Sequence, residues 1–143
     1  MFPLPLILLS ALVLLAAGRD LAERTIPNRF IGLALLCALG AHLLAGSPPW
    51  YPLAGLATGL LLFLPLYLAH GMGAGDVKLM AAVGTFAGPV LALQIALATC
   101  IAGGAVSLGF LTAPRANRHS TMPYAPSIAI GTLAVLAFTV KPA

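Results

Sequence analysis

Chemistry in this chain can begin only at a few places, because its 143 residues hold 3 acidic side chains against 7 Lys and Arg. Two of the acids are aspartates, Asp20 and Asp76, and the third is Glu23. Two carboxylates brought to one water molecule can hydrolyse a peptide bond. Like charges so close cannot both ionise cheaply, so such a pair shares a proton. The ionised member takes a proton from the attacking water, the protonated member polarises the scissile carbonyl, and the two exchange roles to release the amine. The pair titrates as a unit, so neither role is assigned to one residue. Each aspartate also has an ordinary reading: Asp20 balances Arg19 or Arg24, and Asp76 caps the following helix, where a carboxylate meets free N–H groups and the helix dipole.

Whether the aspartates can meet depends on the elements that carry them. Hydrophobic residues make up 61% of the chain and charged residues 7%, with a mean hydropathy of +1.07, which calls for lipid rather than water around most of the surface. Ionised side chains cost about 2.5 to 3.5 kcal/mol each inside a bilayer, so the charges mark its borders. They cluster at Arg19, Asp20, Glu23, Arg24 and Arg29, at Asp76 and Lys78, and at Arg115 and Arg118, with Lys141 apart. The 46 uncharged residues 30–75 would make about 69 Å of helix, enough to cross a core of about 30 Å twice. The 36 residues 79–114 would make about 54 Å and also allow a return. This pattern predicts an all-α, polytopic membrane protein in which one domain, 1–143, holds six spans near 3–18, 30–45, 52–69, 77–88, 90–112 and 124–140. The fourth is shorter than the usual 17 to 25 residues or so, which suits a tilted or re-entrant segment.

By this parity the three clusters share one face, and their wealth of Lys and Arg makes that face cytoplasmic. Turns on the other face fall at Gly46, Ser47, Pro48 and Pro49, followed by the interfacial pair Trp50 and Tyr51, and at Gly88-Pro89. The opening apolar run has no basic residue before it, so it reads as a first span with its N-terminus outside rather than as a signal peptide. Cys37 and Cys100 lie in apolar spans without metal-ligand spacing and read as small buried side chains.

Gly71, Gly73 and Gly75 alternate on the approach to Asp76, which lets the backbone take positive φ and another chain come close. No phosphate-loop pattern accompanies them and no HExxH is present, so neither a phosphate cradle nor a zinc protease is expected. None of Ser10, Ser47, Ser107, Ser120 and Ser127 has a GxSxG-like setting with a His partner, which sets a serine protease aside. Lys78 cannot pair well with Asp76 two residues away on a helix, and is expected to snorkel or to meet another group at that border. Pro27 and Asn28 read as the start of the second helix. The scattered basic residues follow from topology and anionic lipid, with no nucleic acid implied.

Gly73-Ala74-Gly75-Asp76-Val77-Lys78 resembles the GxGD motif of the type IV prepilin peptidases. Asp20 followed by Arg24, Ile26, Pro27 and Asn28 is similar to that family's first aspartate with its downstream Ile-Pro-Asn. Pro123-Tyr124-Ala125-Pro126, followed by Ile128, Ala129, Ile130 and Gly131, resembles the segment that opens its last conserved helix. The resemblance runs from about Asp20 to Gly131, and the compact size is like the peptidases of tight-adherence (Flp) pilus systems.

The resemblance implies that Asp20 and Asp76 are catalytic, that Gly73, Gly75, Lys78, Pro27, Asn28, Pro123, Tyr124 and Pro126 shape the site or bind substrate, and that neither metal nor other cofactor is required. It further implies a bacterial inner-membrane enzyme that removes the leader of prepilin or pseudopilin precursors at the cytoplasmic face, alongside pilus-assembly machinery. Longer members carry paired CxxC motifs and methylate the new N-terminus; with only Cys37 and Cys100, this sequence is expected to cleave without methylating. Two other functions remain open: a transporter or channel subunit whose aspartates hold a cation or proton, which favours acids at mid-bilayer, and a non-catalytic assembly protein of a pilus machine.

Overall fold

A computed structural model describes residues 3–23, 26–70, 72–112 and 125–139. Among these residues the chain forms α-helices and no strand: α1 (Pro3–Glu23), α2 (Asn28–Leu44), α3 (Trp50–Leu68), α4 (Ala74–Ala87), α5 (Pro89–Thr112) and α6 (Ala125–Thr139). The fold is all-α and membrane-type, as the charge gaps predict. Among the described residues two segments, Trp50–Leu68 and Pro89–Gly109, are long and apolar enough to cross a bilayer, and Asn28–Leu44 and Pro126–Thr139 are shorter apolar helices.

The helix borders follow local chemistry. At the end of α2 the Ser47 N–H reaches the His42 carbonyl and the Gly46 N–H the Leu43 carbonyl, with Gly46 at φ 71. That is a Schellman end, which needs a residue in the left-handed region. Between α4 and α5 the chain reverses at Gly88, φ 82, and Pro89 opens α5, where its missing N–H costs nothing.

The short fourth helix is the axis of the bundle. Its 14 residues make about 21 Å, too little for an independent crossing, yet it packs against each of the other five helices. From Asp76 to Ala87 every residue except Lys78 is buried. A helix wrapped by protein on every side need not span the hydrocarbon, so a length of 14 residues is enough at the centre of the fold.

The closest approach is between α3 and α4. A Cβ on Gly55 would strike the Gly84 carbonyl, a Cβ on Gly84 would strike the Gly55 carbonyl, and one on Gly59 would strike the Met80 carbonyl. Gly55 and Gly59 are spaced four apart, as are Gly84 and Gly88, so two GxxxG stripes face one another. In lipid such small-residue seams let backbones close to packing distance.

One expectation is corrected: Cys37 and Cys100 are exposed on the outside of the bundle rather than buried. Lipid tails are as apolar as a core, so an apolar residue on a membrane helix carries no signal of which way it faces.

Candidate active site

Among the described residues, the end of the bundle where α1 finishes and α2 and α4 begin gathers the charged side chains. Asp20 sits within the last turns of α1, which runs on to Glu23, and is 7% exposed; Asp76 lies in the first turn of α4 and is 9% exposed. α1 and α4 pack directly on one another, and the Asp20 charge acts on Asp76. The two aspartates are thus electrostatic neighbours at one end of the fold, away from its middle.

Asp76 stands ahead of the uncharged run that begins at Leu79. Burial foremost, then the charge of Asp20, pushes its carboxyl up from the ordinary 3.8 to about 6, against the lowering effect of a hydrogen bond with the Gly73 backbone. Gly73 is the N-cap of α4, so Asp76, three residues on, reaches back to the cap in the manner of half a capping box. The capping reading therefore holds in modified form: Asp76 is the acceptor at the third helical position, and its carboxylate still meets the positive end of the dipole.

A carboxyl raised this way binds its proton more tightly when folded than when unfolded. Its ionisation costs stability: the cost is absent below 3.8, grows as pH rises towards 6, and is constant above that. Asp76→Asn is accordingly expected to stabilise the fold at pH 7 by up to about 3 kcal/mol, since one pKa unit is worth about 1.4 kcal/mol, and to make no difference below pH 3.8. Thermal unfolding of the two proteins across this pH range measures it.

The approach to Asp76 differs from expectation. Gly73 is extended at φ −78 and Gly75 is helical, so neither uses positive φ; among the described residues of this turn His70 is left-handed, φ 59. A methyl group would fit at either of these two glycines in ordinary contact with its neighbours. A Cβ on Gly73 would lie 3.4 Å from Asp76 Oδ2, and one on Gly75 would lie 3.7 Å from Ile26 Cβ. Gly71 lies outside the described residues.

Ile26, Pro27 and Asn28 are thereby brought to the site. Pro27 is the extended N-cap of α2, its carbonyl accepting from Phe30 N–H at 3.0 Å, and Asn28 is the first helical residue rather than the cap. Its side chain is free of capping duty, and Asn28 Oδ1 accepts from Lys78 Nζ at 2.9 Å. Lys78 meets another polar group at the helix end, as the sequence suggests, and ties the start of α4 to the start of α2. Pro126 lies in the first turn of α6, which packs on α1, and is half-buried. Pro123, Tyr124 and Arg24 lie outside the described residues.

Sequence reasoning missed a second polar cluster, at the opposite end. Ser47 does have a His partner: His42 Nδ1 lies 3.2 Å from Ser47 Oγ and Nε2 3.0 Å from the Phe86 carbonyl. The Schellman turn folds Ser47 back over His42, a relation that a search for GxSxG does not detect.

A model of the type IV leader peptidase family matches residues 7–108, a stretch that holds both aspartates. The chain is similar to the prepilin leader peptidase/N-methyltransferase of Bacillus subtilis (strain 168), with 29% identity over 133 residues, 90% of this chain and 53% of that protein. A protein of the same description from Xanthomonas campestris pv. campestris is 30% identical over 132 residues, 87% of this chain and 46% of that one. A third, from Burkholderia pseudomallei (strain 1026b), is 37% identical over 79 residues, 55% of this chain and 26% of the relative. The chain spans about half the length of the first two relatives. No solved structure matches it.

Proposed function

Since this chain belongs to the type IV leader peptidase family, we propose that it is a membrane aspartic endopeptidase that removes the leader from prepilin-like precursors, with Asp20 and Asp76 as its catalytic pair. The observation that carries this reading is the pairing of two buried carboxylates on adjoining helices at one end of the bundle. In the proposed reaction the pair enters with one proton. The ionised carboxylate accepts a proton as water attacks the scissile carbonyl, the protonated one donates to the carbonyl oxygen, and collapse of the adduct returns a proton to the leaving amine. The raised pKa of Asp76 favours the singly protonated pair nearer neutrality than two ordinary aspartates would allow.

The site's place at the helix ends supports interfacial hydrolysis, because a polar peptide segment and water both reach it without crossing the hydrocarbon. By the positive-inside rule that end faces the cytoplasm of a bacterial inner membrane. The same position weighs against a transporter, whose acids belong near mid-bilayer.

The test is the purified chain in proteoliposomes with a prepilin precursor, read by mass: leader removal is expected, and an intact precursor overturns the proposal. In the same assay Lys78→Ala and Asn28→Ala are each expected to lower cleavage a few-fold. The 2.9 Å link is exposed, so its loss is worth about 1 kcal/mol or less. The double variant should be no slower than the worse single one, since both changes break the same contact.

A further inference from the structure

The cluster at the far end lines a cavity. Between the start of α1, the α2–α3 turn, the end of α4 and the start of α5 lies a space of about 240 Å³, walled by apolar side chains such as Leu6, Phe86 and Leu91, with His42, Ser47 and Tyr51 supplying its polar side chains. His42 is 4% exposed and Ser47 9%, and the Tyr51 ring stands edge-on to the His42 ring at 5.7 Å.

Part of this arrangement has a structural purpose. His42 and Tyr51 satisfy the carbonyls of Phe86 and Ala87 at the end of α4, which would otherwise lack intrahelical partners. Capping explains the direction of two side chains; it does not explain an open volume beside them. The hydrogen-bond inventory defines what that volume accepts. A carbonyl only accepts, so His42 Nε2 carries a proton; in the neutral ring Nδ1 then accepts, and Ser47 Oγ donates to it. Tyr51 Oη donates to the Ala87 carbonyl at 3.4 Å. Every side-chain donor at the cavity is engaged, while lone pairs on Ser47 Oγ and Tyr51 Oη remain. No charged side chain lines the wall, which disfavours an ion in so apolar a setting.

We propose that this cavity is a second binding site, for a neutral amphiphile that brings a hydroxyl donor to Ser47 and Tyr51 and lays an apolar body against Leu6, Phe86 and Leu91. The volume suits a body of octanol size, and the flanking Trp50, exposed at the start of α3, marks the interface where such molecules concentrate. The cavity stands apart from the aspartate pair, which lies at the opposite end of α4.

The intact chain in lipid nanodiscs, labelled with a diazirine analogue of octanol and mapped by mass spectrometry, tests it. Adducts are expected on the α2–α3 turn and the first turns of α1 and α5. Octanol should displace them at a concentration about fivefold or more below that needed of methoxyheptane, an ether of equal size without a donor, because one hydrogen bond is at stake. Ser47→Ala should narrow that difference, and Leu91→Trp, which fills the volume, should abolish the labelling. Displacement by dioleoylglycerol in the bilayer identifies a lipid-borne hydroxyl as the ligand, and displacement by octanol alone a free solute; either supports the site. Equal displacement by octanol and the ether in the unaltered protein, or adducts spread over the lipid-facing helix surfaces, overturns it without bearing on the peptidase.

Discussion

Asp20→Asn and Asp76→Asn are each expected to lower leader removal by about a thousandfold or more, the upper part of the range for losing a positioned acid or base. Each change removes one half of a shared proton chemistry. In Asp76→Asn the remaining carboxylate can still accept a proton, but the amide cannot deliver one to the carbonyl oxygen or the leaving amine. In Asp20→Asn the same chemistry is lost from the other side, and Asp76 also loses the like charge that helps to raise its pKa. Because the pair acts as a unit, the double variant should be no slower than either single one. The stability expectation makes the result decisive. If Asp76→Asn melts no lower than the unaltered protein at pH 7 and yet fails to cut, the loss lies in chemistry and not in folding. Cleavage at the normal rate by either variant removes the catalytic pair from the account.

What the sequence made legible divides along a physical line. Charges are costly in lipid, so their placement is informative: the gaps between clusters outline the helices, and the two aspartates stand out because nearly every other acid is absent. The same solvent hides the inward and outward faces. Cys37, Cys100 and many leucines turn to the outside, since hydrocarbon welcomes them as well as the core does. The central role of α4 was equally hidden, because burial by five neighbours leaves no trace in a run of 14 residues except a shortness that looks like weakness. Asn28 and Lys78, fifty positions apart, could be assigned to one border but not to each other. The His42–Ser47 pair arises from a turn geometry that residue types only hint at.

The α3–α4 seam yields the second large expectation. Gly55→Val and Gly84→Val each place a branched side chain where the facing helix offers a backbone carbonyl, and a backbone cannot rotate aside as a side chain can. Overpacking of a core costs about 1 to 3 kcal/mol when side chains can adjust, so a cost of about 3 kcal/mol or more is expected here. The damage should reach the aspartates although Gly84 lies about two turns from Asp76. α4 carries Asp76 at one end and Gly84 near the other, and a rigid helix pushed outward from α3 shifts its first turn against α1, where Asp20 lies. Displacements of about 1 Å at a catalytic pair can cost a hundredfold, so cleavage should fall further than the melting temperature alone implies. Gly40→Val is the matched control, because a Cβ there meets nothing within 4 Å; it should leave both thermal unfolding and leader removal nearly unchanged. If Gly84→Val behaves like Gly40→Val in both measurements, α3 does not hold α4 at backbone contact, and the frame that brings Asp76 to Asp20 must be sought elsewhere.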